Sequence, residues 1–295
     1  METATVKPAL NVRGEPADFE NEKYGDHPRN RFDLWLAESD TPTPLVIYIH
    51  GGGFVGGDKS KYFESEDMVR FLDAGVSVAV INYRFMTEPP YGILASFHDS
   101  KRCLQYIRHH AARYNIDKER IACSGGSAGA GTALWLAFSD DMADPGNPDP
   151  VLHESTRLTC AGAFATQSTY DIFQWEQTIG IPMAETRQQL EAIAAAFGVK
   201  YLDGVDLFTS PMRIELDFLR KMKKNDPPIF VMNNHKAGTP SNQDDLNHHP
   251  LHAKAIKEKA ENVGLEAIVY APEIGIADPS GKDLVRFFLE KFFGE

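Results

Sequence analysis

Residues Arg120 to Phe138 read RIACSGGSAGAGTALWLAF. The opening RIACS is short and apolar, like a strand covered on both faces, and the closing GTALWLAF is helix-like. Between them Gly125-Gly126-Ser127-Ala128-Gly129 matches G-x-S-x-G, a sharp strand-to-helix turn that lifts a serine hydroxyl above the edge of a sheet. Gly125 and Gly129 suit such a turn because, without side chains, they let neighbouring chain come close. A five-residue match is common by itself. The strand before it and the helix after it give it weight.

Upstream, Leu45 to Ile49 (LVIYI) is another short apolar run, and it leads directly into His50-Gly51-Gly52-Gly53-Phe54, roughly seventy residues before the serine. Glycines there let a reacting carbonyl approach the main chain. The N–H groups of Gly52, Gly53 and Ala128 are therefore candidates to hold the negative charge that acyl transfer builds on a carbonyl oxygen. Further strand-like runs occur at Val76–Ile81, Ile121–Cys123, Ala161–Ala165, Ile229–Met232 and Ala267–Tyr270, while Arg31–Glu38 alternates like an edge strand. Helical spacing separates them, most clearly from about Ala95 to Tyr114, and again over Leu251–Val263 and Lys282–Phe293. This alternation predicts an α/β fold, with a mostly parallel central sheet flanked by helices in a single domain over residues 1–295. The stretch 166–228 is too long for one crossover. With Phe173, Trp175, Ile179, Ile181, Met183 and Phe197 it reads as a small helical lid inserted into that domain, although any one of these residues serves equally well as satellite core.

HGGGFVGGDK followed by GGSAG resembles the hormone-sensitive-lipase-like esterases of the α/β-hydrolase superfamily, from about Leu45 to the C-terminus and least in the lid. The resemblance implies a serine carboxylesterase with a Ser, acid, His triad, in which His50 orients the oxyanion loop and Phe54 lines the acyl or alcohol pocket. It also implies an acid after the Ile229–Met232 strand and a histidine after Ala267–Tyr270. That histidine is missing: beyond Tyr270 the chain reads APEIGIADPSGKDLVRFFLEKFFGE. A serine hydroxyl without an adjacent base is a weak nucleophile, so the base must come from elsewhere.

The loop after Met232 reads NNHKAGTPSNQDDLNHHPLHAKAIKE and supplies His235, His248, His249 and His252 with Asp244 and Asp245. It leaves its strand at the same rim as Ser127, so it can furnish both base and acid. His248 with Asp245 behind it is the first choice. Asp244 and His249 are the alternates, and His252 is placed at the start of the next helix. Two other classes compete. A hydrolase that has lost its base would act as a ligand-binding protein or a very slow enzyme. The density of Asp244, Asp245, His248, His249 and His252 suggests metal, but there is no HExxH pattern, and Pro250 interrupts the helix that the His248/His252 spacing needs. Neither metal nor cofactor is expected. By the resemblance, the substrate is a small ester, short-acyl or acetyl; amidase or peptidase action is the alternative, since the same nucleophile serves both.

A formal net charge of −12 disfavours nucleic acid or an anionic membrane surface as partner. Cys103, Cys123 and Cys160 form no CxxC pair and are odd in number, which fits packed, reduced thiols. No run approaches the roughly eighteen apolar residues of a membrane span, and METATVKPALNVRGEP lacks a signal pattern, so a cytoplasmic location is expected. The apolar C-terminal helix, with Phe287, Phe288, Phe292 and Phe293, is expected to pack on the sheet. Pairing with a second copy as a homodimer is the alternative.

Overall fold

Among the described residues, eight strands make one sheet: β1 Phe19–Lys23, β2 Arg31–Trp35, β3 Thr43–Ile49, β4 Ser77–Ile81, β5 Ile116–Gly126, β6 Ala161–Phe164, β7 Ile229–Met232 and β8 Ala267–Tyr270. The computed structural model describes residues 9–181, 194–196, 198 and 211–294. The strands lie in the order β1-β2-β4-β3-β5-β6-β7-β8. β2 is antiparallel to both of its neighbours, and every other pair is parallel.

Period-two alternation shares the side chains of this sheet between two cores. In β3, Leu45, Ile47 and Ile49 enter one core and Val46 and Tyr48 the other; β4 divides Ala79 and Ile81 from Val78 and Val80 in the same way. Helices Ile93–His109, Ala128–Phe138 and Leu251–Val263 cover the first core, and Glu66–Asp73 and Leu284–Phe293 cover the second. Phe287, Phe288 and Phe292 are buried in that second core, whereas Phe293 is exposed.

One strand differs from expectation. Arg31–Glu38 is not an edge: β2 lies between β1 and β4. Asp33, whose charge made the run look amphipathic, is buried in an ion pair with Lys59, while Phe32 and Leu34 fill one core and Trp35 the other. The true edge is β1, a polar FENEK segment too weakly patterned to read as a strand.

Between β6 and β7 the chain makes a 3-10 turn at Ile172–Gln174 and short helices at Trp175–Ile179, Met212–Leu216 and Phe218–Lys221, with 194–196 also helical. Trp175 and Ile179 form a satellite cluster with Leu246, while Leu216 and Phe218 join the first core. Met183 and Phe197 lie outside the described residues. No helix among the described residues is long and apolar enough to cross a membrane.

The chain leaves β3 toward β4 on one side of the sheet, and leaves β5 toward β6 on the other. The adjacent carboxyl ends of β3 and β5 therefore open a crevice, the usual ligand position in such a sheet.

Candidate active site

Ser127 sits at that crevice in the turn from β5 into helix Ala128–Phe138, with φ 50° and ψ −117°. A non-glycine residue held there costs on the order of 1–3 kcal/mol, so its surroundings must impose it. The Ser127 N–H donates to the Phe164 carbonyl at 2.8 Å, and the Gly131 N–H donates to the Ser127 carbonyl at 3.1 Å. The Tyr170 hydroxyl is shared between the carbonyls of Ser127 and Ala128, at 3.3 and 3.2 Å. The glycines are explained by contact: a Cβ on Gly125 would stand 2.5 Å from the Ile49 carbonyl oxygen, and one on Gly129 would overlap the same oxygen. All eleven residues of the following helix are buried, as befits one that is apolar all round.

The His50–Phe54 loop lies against this turn; a Cβ on Gly51 would come within 2.7 Å of the Gly126 carbonyl oxygen. Gly52 and Gly53 have φ of 117° and 60°, a conformation that glycine adopts without penalty. His50 is fully committed. Its Nδ1–H donates to the Gly51 carbonyl at 2.7 Å, its Nε2 accepts from Arg29 at 3.2 Å, and its ring stacks on Tyr83. Burial pulls its pKa down to about 4. Asp58 and Lys59 anchor the far end of the loop, Asp58 by accepting from Asn82 at 2.7 Å and Lys59 by its pair with Asp33. Among the described residues, no acceptor engages the N–H groups of Gly52, Gly53 or Ala128. Gly53, Ala128 and Ser127 line a cavity of about 200 Å³ whose other walls are mostly apolar, including Phe54, Met86, Ile93, Ile172 and Trp175.

A histidine reaches the serine from two strands away. Ser127 Oγ lies 2.8 Å from Nε2 of His248, the residue that ends the short helix Gln243–Asn247. When Nε2 accepts the serine proton's hydrogen bond, the neutral ring carries its own proton on Nδ1. Oδ1 of Asp244 is 3.0 Å from that Nδ1 but poorly aligned with its N–H, so it makes at most a bent hydrogen bond, which with the carboxylate's charge favours the protonated ring. Burial holds His248 below the ordinary imidazole range, with Asp244 opposing the shift and His235, stacked on it at 4.9 Å, adding to it.

Asp245, the first choice for the carboxylate behind His248, is not there. Its Oδ2 accepts from the N–H and hydroxyl of Ser241 at 2.9 and 2.5 Å. Neighbouring residues on a helix diverge by about 100°, whereas residues four apart share a face, and that spacing singles out Asp244. His249 turns away, donating from Nε2 to the Gly238 carbonyl at 2.9 Å. His252 is completely buried at the start of the next helix, and burial takes its pKa down to about 3. Among the described residues no three His, Cys, Asp or Glu side chains are grouped to hold a metal ion. Sequence reasoning missed Gln167 and Asn233. Asn233 follows β7, the place where the resemblance calls for an acid, and its Nδ2 donates to the His248 carbonyl at 3.0 Å.

The sheet order, with an elbow after the fifth strand and a glycine loop after the third, makes this chain an α/β-hydrolase. More narrowly, it belongs to the BD-FAE family, whose profile matches residues 32–243. It is 32% identical over 136 residues to a probable isoprenylcysteine alpha-carbonyl methylesterase, ICMEL1, of Arabidopsis thaliana; the match covers 46% of this chain and 28% of that protein. It is 31% identical over 138 residues to a chlorogenic acid esterase of Aspergillus niger, covering 40% of this chain and 26% of that one. The chain thus spans less than a third of the length of either relative. A truncated form of a carbohydrate esterase from gut microbiota shares the fold, with a TM-score of 0.67 at 17% identity over 92% of this chain and 95% of that one.

Proposed function

We propose that this protein is a serine carboxylesterase that hydrolyses small esters through an acyl-enzyme on Ser127. The observation that carries the reading is the 2.8 Å contact between Ser127 Oγ and His248 Nε2 in a chain that lacks the usual histidine after β8. His248 takes the proton as Ser127 attacks the ester carbonyl, then returns it to the leaving alcohol. The N–H groups of Gly52, Gly53 and Ala128 receive the oxyanion, and water later attacks the acyl-enzyme with His248 again as base. A cavity of about 200 Å³ favours short acyl groups. The described part of the 166–228 excursion serves as a lid, since Ile172 and Trp175 form part of the cavity wall. The family relatives named above are esterases, which supports ester rather than amide cleavage.

The test is turnover of p-nitrophenyl acetate, butyrate and laurate by the wild type beside Ser127→Ala and His248→Ala. The expected result is turnover of acetate and butyrate ahead of laurate, with kcat about 10⁴-fold lower or worse in both variants. Wild-type turnover no faster than that of Ser127→Ala would overturn the reading in favour of a binding protein.

A further inference from the structure

A helix of five residues cannot satisfy its own last carbonyls, and Gln243–Asn247 ends at His248. Three buried side chains from other parts of the chain take them up in succession. Nε2 of His252 faces the Leu246 carbonyl at 3.1 Å, Nε2 of Gln167 donates to the Asn247 carbonyl at 2.7 Å, and Nδ2 of Asn233 donates to the His248 carbonyl at 3.0 Å. The tautomer of His252 is fixed by its other side: the Ser168 N–H donates to Nδ1 at 3.2 Å, so the proton must sit on Nε2, toward Leu246. The three donor residues are 0%, 5% and 2% exposed, so the donors are shielded from water although the Asn247 and His248 carbonyls they hold are only half-buried. The carboxylate near His248 is the reverse case, for the Asp244 side chain is 75% exposed and is not aligned with Nδ1. A buried, aligned aspartate in a Ser-His-Asp triad is worth about 10⁴ in kcat. An exposed ion pair is worth about fivefold at most.

We propose that His248 is held in register with Ser127 by this relay of buried donors on three consecutive carbonyls, with Asn233 as the positioning residue that acts on His248 directly, and that Asp244 contributes only weakly. The inference rests on the reading of His248 as the base.

Two isosteric substitutions on opposite sides of His248 test it in the full-length chain. Asn233→Asp exchanges the donor for a group that repels the His248 carbonyl, and Asp244→Asn removes the exposed charge. With p-nitrophenyl acetate, Asn233→Asp is expected to lower kcat about a hundredfold with little change in KM, the signature of a displaced catalytic group. Asp244→Asn is expected to stay within about tenfold of wild type. A thousandfold loss in Asp244→Asn, or wild-type kcat in Asn233→Asp, would overturn the proposal. Because Asp244 is exposed, its variant folds; if Asn233→Asp is insoluble, Gln167→Ala, which releases the neighbouring Asn247 carbonyl, takes its place, with a loss of kcat expected and wild-type kcat again overturning the relay. His248→Ala in the same series separates the two ideas: if it keeps wild-type turnover, the base lies elsewhere and the underlying reading fails, whereas a dead His248→Ala beside a dead Asp244→Asn refutes only the positioning relay.

Discussion

The serine side and the histidine side of this site are built by different means. The serine side is main chain against main chain: β3, β5 and their two loops meet so closely that Gly51, Gly125 and Gly129 have no room for a methyl group. The histidine side is a loop hung by side chains, in which His252, Gln167 and Asn233 each hold one carbonyl of residues 246–248. Close backbone approach demands glycine at fixed positions and so leaves a motif. Side-chain capture can be achieved by several residue types from several places, and leaves none. The family match has the same boundary, since it runs to residue 243 and stops short of Asp244 and His248.

The largest effect expected from this difference concerns stability. In Gly125→Ala the added methyl meets the Ile49 carbonyl oxygen at 2.5 Å and the Gly129 backbone at 2.6 Å, and neither can retreat without parting β3 from β5. The expected cost exceeds about 3 kcal/mol, or folded protein is lost altogether. Gln167→Ala, which strands a single carbonyl on the histidine side, is expected to cost about 1–2 kcal/mol. Urea midpoints for the two variants check this ranking, and equal midpoints would remove the distinction between a main-chain site and a side-chain site.

Legibility followed the same division. The strands β3 to β8 and the elbow were readable because burial on both faces leaves unbroken apolar runs, and because Ser127 needs its glycine neighbours. β1 was not readable, being polar and paired on one side only, and β2 was misread as an edge because buried Asp33 looks like a solvent-facing position unless Lys59 is known to meet it. The placement of His248 beside Ser127 was foreseeable from the rim on which its loop emerges. Its carboxylate neighbour was misassigned to Asp245, although the four-residue spacing from Asp244 to His248 was present in the sequence. Nothing local marks Gln167 or Asn233, which act on a carbonyl 80 and 15 residues away.

A smaller effect is shared by both sides, since each conceals one neutral imidazole. His50 and His252 titrate in the folded chain at about 4 and about 3, below the ordinary value of 6.5. The unfolded chain therefore takes up protons first: the stabilisation is complete above pH 6.5 and is lost as pH falls toward the folded values. At pH 5 each imidazole has withdrawn on the order of 2 kcal/mol. Urea unfolding at pH 7.5 and 5.0 measures the sum. An unchanged midpoint would show that these two rings are not held neutral, and would take with it the assignment of His252 as a donor to Leu246.

The smallest effect distinguishes the two exposed neighbours of His248 from its buried clamp. On the proposed mechanism His248 must be neutral to accept the serine proton, so kcat/KM is expected to rise with pH through its pKa, and burial places that rise below the usual imidazole range. Asp244 favours the protonated ring and His235 disfavours it. Asp244→Asn should therefore move the acid limb to lower pH, and His235→Phe, which keeps an aromatic ring against His248, should move it to higher pH. Both neighbours are exposed, so both displacements should shrink as salt is raised to about 0.5 M, while the limb itself stays where burial sets it. The profile of kcat/KM on p-nitrophenyl acetate at two ionic strengths reads all three terms. A limb that moves strongly with salt in the wild type would mean that the exposed charges, rather than the buried donors and the desolvation they enforce, govern the base.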